Sequence, residues 1–89
     1  MEMGKFHDAF TIYTNVFEQR KQILGTSHPE TIRTEHNMAN CLMEMGKLDD
    51  AFTIYTNVLE QRKKILGTDH PHTKNTEKCI YKLKVNYTL

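Results

Sequence analysis

The sequence predicts an all-α chain of about four helices, stacked as the repeated units of a solenoid. Three observations carry that expectation. First, residues 43–73 repeat residues 1–31 at an offset of 42, and 25 of the 31 aligned positions are identical. The exceptions are 6/48, 7/49, 17/59, 22/64, 27/69 and 30/72. A period of roughly 20–50 residues marks units that bury their apolar faces against neighbouring units. Second, apolar residues within each copy recur three and four positions apart, the spacing of a helix face. Third, Gly25-x-x-His28-Pro29 and Gly67-x-x-His70-Pro71 close one such run and open the next.

Residues 1–4 read as the tail of a helix whose body lies upstream, because their copy at 43–46 closes a helical pattern. Residues 5–24 form the first long helix. Phe6, Ala9, Phe10, Tyr13, Val16 and Phe17 share one face, and Ile23 and Leu24 continue it. Gly25 supplies the left-handed cap that residues with a Cβ avoid, and Arg20 and Lys21 suit the negative end of the helix dipole. Thr26-Ser27-His28-Pro29 restarts the chain with a capping hydroxyl and a proline whose missing N–H costs nothing in the first turn. The second helix, 29–45, carries Met38, Leu42 and Met45 on one stripe with Ile32, Ala39 and Cys41 beside it, and Gly46 ends it. The third, 47–66, repeats the first, with Leu48, Ala51, Phe52, Tyr55, Val58, Leu59, Ile65 and Leu66 inward. Ile12 and Ile54 fall off the stripe, as suits a helix wedged between two neighbours.

The last helix, 71–86, is where the copies diverge. Between 32–42 and 74–84 only Thr34/Thr76 and Glu35/Glu77 agree. Ala39 becomes Tyr81, which forbids the close approach of a following helix, and Leu42 becomes Lys84, which points to water. This helix reads as a terminal cap with a polar outer face. The expected organisation is one domain over 1–89. Its first repeat, 1–28, lacks most of its first helix; the second spans 29–70; the cap spans 71–89.

Composition narrows the function classes. The formal net charge is +1, so no bulk field points to nucleic acid or membrane. The charge is uneven: four Lys/Arg against five Asp/Glu in 1–42, eight against six in 43–89. No run approaches the roughly 18–20 apolar residues of a membrane span. Cys41 and Cys79 make no disulfide framework and read as small buried residues in a reducing compartment, so a cytoplasmic location is expected. No cofactor, metal site or catalytic residue is expected. His70 and His72 are too close for a helical ligand pair and lack a third ligand. Cys41 and His36 sit five apart, off a shared face. Each His-Pro reads as a helix start.

The run Asn37-Met38-Ala39-x-x-Leu42-x-x-x-Gly46-Lys47-x-x-Asp50-Ala51-x-x-x-Tyr55 resembles a tetratricopeptide repeat. The 42-residue period and the Ile65-Leu66-Gly67-x-x-His70-Pro71-x-Thr73 link resemble the long-period variant of kinesin light chains. Glu35 and Glu77 stand where that family often has a large apolar residue, and Val16 and Val58 where it has a small one. The resemblance implies a right-handed superhelix of antiparallel helix pairs, non-enzymatic, holding a peptide or partner protein in a concave groove. It places Arg33, His36, Asn37, Asn40 and Glu44 of one inner helix, and Asn75, Lys78, Lys82 and Val85 of the next, along that groove. Asn37 matches an asparagine that family members use on ligand backbone. The stripe Lys74, Lys78, Lys82 with Arg33 and His36 suits an acidic peptide or a C-terminal carboxylate, or else a solvated face that keeps the cap soluble.

Without a preceding helix, Phe6, Phe10, Tyr13 and Phe17 face open solvent. Leaving three large side chains wet forgoes roughly 1.5–3 kcal/mol each. Self-association through this face, as a homodimer, is therefore the alternative expectation, with the chain acting as a structural piece of a repeat array.

Overall fold

A computed structural model describes residues 3–87. Four helices follow one another: α1 (Met3–Leu24), α2 (Pro29–Glu44), α3 (Leu48–Leu66) and α4 (Pro71–Tyr87). No strand occurs among the described residues. Each helix packs mainly on the next in sequence, α1 on α2, α2 on α3 and α3 on α4. The result is a slab of 35 × 29 × 17 Å, about two helix layers thick. The expected all-α hairpin architecture is present, with boundaries within one or two residues.

The core lies where α2, α3 and α4 meet. Ala39, Leu42, Ala51, Tyr55 and Leu83 form it, and Phe10 of α1 packs onto its edge with Met43, Met45, Leu48, Phe52, Ile54, Cys79 and Ile80. Ala39 and Ala51 are both fully buried, and their small side chains let α2 and α3 approach closely around the ring of Tyr55. Several helical threonines return their hydroxyls to the preceding turn, as Thr14 does to the Phe10 carbonyl and Thr56 to that of Phe52, both at 2.8 Å.

The turns are built by glycine and histidine. At the α2–α3 reversal, the Lys47 N–H donates to the Leu42 carbonyl at 2.9 Å and the Gly46 N–H to that of Met43 at 3.0 Å. This pair of bonds is a Schellman closure, and Gly46 has the positive φ of 83° that it requires. Gly67 has φ 97° and ψ 157°, a region open essentially to glycine alone. The capping group at each His-Pro is different from the expected hydroxyl. Nδ1 of His28 accepts from the Glu30 N–H at 3.1 Å, and Nδ1 of His70 accepts from the His72 N–H at 3.0 Å. The imidazole lies at the N-cap itself, one residue nearer the orphan N–H groups than Ser27.

Three further expectations are corrected. The helix does not break at Gly4: α1 starts at Met3 and passes through it, while residues 1 and 2 of the expected tail lie outside the described residues. The same Met-Gly-Lys turns at Gly46 because α2 there must fold back on α3. No described helix precedes Gly4, and an uninterrupted helix keeps its ladder of bonds. Ile23, Leu24 and Ile65, expected inward, are exposed, Ile23 to 78%. They sit past the last turn that the neighbouring helix covers. Finally Phe6, Phe10, Tyr13 and Phe17 are all half-buried rather than open. Phe10 rests on the core edge, and the ammonium of Lys21 lies 5.1 Å from the centroid of the Phe17 ring.

Candidate functional site

Helix α2 is the central helix of the molecule, with nine buried residues between its neighbours. Its remaining surface is a strip of Arg33, Asn37, Asn40 and Glu44, spaced at helical intervals along one side. Arg33 and Glu44 are exposed, and Asn37 and Asn40 half-buried. Arg33 is tied to Glu30 by a hydrogen-bonded ion pair of 2.7 Å. Asn40 is not free for a ligand backbone, because its Oδ1 accepts a hydrogen bond from the Tyr55 hydroxyl. Burial pushes that phenol well above its usual range, so the bond keeps its proton.

His36, expected on the groove, is 5% exposed and lies inside the stack. Its ring meets Tyr55 edge-on, with centroids 5.3 Å apart, and its Nε2 stands 4.0 Å from Sγ of Cys79. Asn37, the next residue, and Arg33, three residues before, take the surface, and His36 points between α3 and α4. Burial, then the nearby Arg62 and His72, hold the imidazole down to about 4. Burial likewise pushes the Cys79 thiol up. Neither thiolate nor imidazolium forms near neutrality, so this Cys/His contact is poorly suited to nucleophilic chemistry. Among the described residues, no three His, Cys, Asp or Glu side chains converge on a point where a metal ion could sit.

On α4, Asn75, Lys78 and Lys82 are exposed, as the resemblance implied, and so is Val85. Lys74 pairs with Glu77 at 3.6 Å. Lys78 and Lys82 make no ion pair among the described residues, so their charge is available to a partner. The outer side of this helix carries exposed Tyr81 and Lys84, the latter with its ammonium 5.8 Å from the Phe52 ring centroid.

Two arginines that sequence reasoning assigned to the dipole, or passed over, do something else. Nη1 of Arg20 reaches across to the Glu30 carbonyl at 3.3 Å and the Thr34 hydroxyl at 3.0 Å. Nη1 of Arg62 makes the same clamp one repeat later, to the His72 carbonyl at 3.1 Å and the Thr76 hydroxyl at 2.9 Å. Each arginine fastens a long helix to the first turn of the next. A signal existed: Thr34/Thr76 is one of only two agreeing pairs in the divergent stretch, and it is the partner of an arginine present in both copies. Glu35 is a second case. It is buried and accepts from Nδ2 of Asn57 at 2.8 Å, and burial raises its carboxyl above the ordinary range.

Two concavities adjoin the α2 strip. One, of about 340 Å³, is lined by Phe6 and Tyr13 of α1 and by Asn37, Asn40, Cys41, Met43 and Glu44 of α2. The other, of about 150 Å³, lies at the opposite end of α2 among Pro29, Glu30, Ile32, Arg33, Arg62, Ile65, Leu66 and His72.

Sequential antiparallel helices, related by an internal repeat and offering concave surfaces, define a helical-hairpin repeat protein. A tetratricopeptide repeat model matches residues 30–78, more than half of the chain, and the chain belongs to that family. No curated protein matches the chain. Repeats of this family mediate contacts between proteins. No helix among the described residues is long and apolar enough to cross a membrane.

Proposed function

We propose that the chain is a non-enzymatic, cytoplasmic protein-interaction module that receives a segment of a partner protein along α2 and α4. The observation that carries this reading is the pair Lys78 and Lys82, exposed and without a counter-ion among the described residues, beside Asn75 on α4, with Arg33 and Asn37 exposed or half-exposed on α2. Unpaired lysines along an extended surface select an acidic segment and accelerate its capture. Asn40 and His36 are taken up by packing and support the surface from beneath.

Fluorescence anisotropy with a labelled acidic peptide tests this. Lys78→Glu with Lys82→Glu should weaken binding at least tenfold and reduce its salt dependence, with the helical circular dichroism unchanged. Equal affinity of wild type and double variant would overturn it.

A second reading is favoured by the larger cleft. In the second repeat, the surface equivalent to Tyr13 and Asn37 is that of Tyr55 and Cys79, and α2 covers it with Asn40 and His36. The first repeat presents the same surface without a described helix upon it. A helix from a second copy of the chain would fill it, giving a homodimer that buries the remaining faces of Phe6, Phe10, Tyr13 and Phe17. Light scattering behind size exclusion at tens of micromolar tests this, and a monomer at that concentration would rule it out.

A further inference from the structure

The smaller cavity has an electrostatic feature that the equivalent arginine clamp of the first repeat lacks. Arg20 and Arg62 make the same clamp, but position 30 is glutamate and the equivalent position 72 is histidine. In the first repeat the carboxylate of Glu30 therefore stands 3.4 Å from Nη1 of Arg20 and compensates it. In the second repeat no carboxylate replaces it. Arg62 is 5% exposed and forms no ion pair among the described residues. Both of its hydrogen bonds leave from Nη1, and both go to neutral oxygens. A buried guanidinium without a counter-charge is unfavourable, and it favours any arrangement that brings an anion to it. Burial, the largest influence, works against its charge, and the nearby Arg33 adds to that while Cys79 only partly offsets it.

The walls state what kind of anion fits. Arg62, Arg33 and His72 line one part of the cavity, and Ile32, Ile65 and Leu66 another. Glu30, the one acid on the rim, is engaged by Arg33 and Arg20. The exposed Ile65 gains cover only if something apolar enters. A cavity of about 150 Å³ holds a group of roughly six carbons. A guanidinium offers a planar fork suited to a carboxylate.

We infer that this cavity is a binding subsite for a carboxylate borne on a short aliphatic body, one per chain, with Arg62 as its charged anchor and Ile32, Ile65 and Leu66 around the aliphatic part. The ligand is either a small free acid or the glutamate of a partner segment flanked by aliphatic residues. The site is single because the first repeat neutralises its own arginine. It is independent of the lysines of α4.

The test is titration of the full chain with 4-methylpentanoate, followed by amide and methyl chemical shifts. The expected result is saturable binding with a Kd on the order of 1 mM, appropriate to so small a ligand. Shifts should be centred on Ile65, Leu66 and Arg62. The neutral 4-methylpentanamide should bind at least tenfold more weakly. The decisive variant is His72→Glu, which installs beside Arg62 the acid that Arg20 already has. It lies at an exposed position, so the fold should persist with equal or greater stability, and binding should be lost. Lys78→Glu with Lys82→Glu should leave binding unchanged, which separates failure of this site from failure of the α4 surface. An acetylated Ile-Glu-Leu amide in place of the free acid identifies the source: binding of the peptide assigns a partner's side chain, and binding of the acid alone assigns a small ligand. Saturation by neither, or equal binding to wild type and His72→Glu, overturns the inference.

Discussion

Residues 9–20 and 51–62 are almost the same peptide, yet the molecule treats them differently. Ala51, Tyr55, Val58 and Arg62 are buried, whereas Ala9, Tyr13, Val16 and Arg20 are only half-buried. Ile54 packs onto the core edge, and its twin Ile12 is 62% exposed. The sequence of a repeat fixes which residues face sideways. Burial depends on whether a neighbour stands on each side, and α3 has α2 and α4 where α1 has only α2 among the described helices. The same side chain can thus be core in one copy and surface in the other.

The comparison can be broken most directly at the two tyrosines. Tyr55→Ala removes a buried ring and leaves Asn40 unpartnered, and should destabilise by about 3–5 kcal/mol. Tyr13→Ala should cost about 1 kcal/mol, as it loses only half-covered surface. Urea unfolding of the two variants measures the difference. Equal losses would mean that α1 is covered in solution, which is the outcome expected of the homodimer.

Acid titration sharpens it next. His36 takes its proton only near pH 4, whereas the unfolded chain takes it near 6.5. Between those values the unfolded state binds more protons, so stability falls as the pH falls, by about 3 kcal/mol across the window, and levels off below it. Glu35 opposes this. Its raised carboxyl weakens the fold above the unfolded value and restores stability as the pH falls through the folded one. Urea midpoints at pH 7, 5.5 and 4 should show a slope that His36→Gln flattens.

The arginine clamps give a smaller contrast. Arg62→Ala empties a buried site and removes both hydrogen bonds that tie α3 to the first turn of α4, leaving the Thr76 hydroxyl and the His72 carbonyl only their bond to each other, a loss of about 2–3 kcal/mol. Arg20→Ala should cost about 1 kcal/mol, since its pair with Glu30 is half exposed. The smallest expected effect is a gain: His72→Glu should stabilise by about 0.5–1 kcal/mol by giving Arg62 the acid that Arg20 has. Thermal unfolding detects it as an upward shift of a few degrees.

Much of the fold was legible because it follows from local rules. The apolar spacing set four helices, glycine marked where they end, and His-Pro where they restart. The core residues Ala39, Leu42, Ala51, Tyr55 and Val58 were readable from the same periodicity. The surface lysines of α4 were readable too, since nothing packs on them. His36 was not, because 36 and 37 are adjacent on the helix and a rotation of about 100° decides which faces water. The end of each long helix was misread for a related reason: Ile23 and Ile65 continue the apolar pattern, but the neighbouring helix stops short of them.

The linear order of residues determined that this is a repeated helical hairpin, where its helices begin and end, and that its two units are chemical near-copies. Those properties depend on spacing, glycine dihedrals and proline, all set within a few residues. The tertiary arrangement alone decided which copy of each residue is buried and which arginine lacks a counter-charge, and it turned His36 from surface to interior. These depend on what stands beside a helix, and two nearly identical peptides acquire different neighbours by occupying different places in the stack.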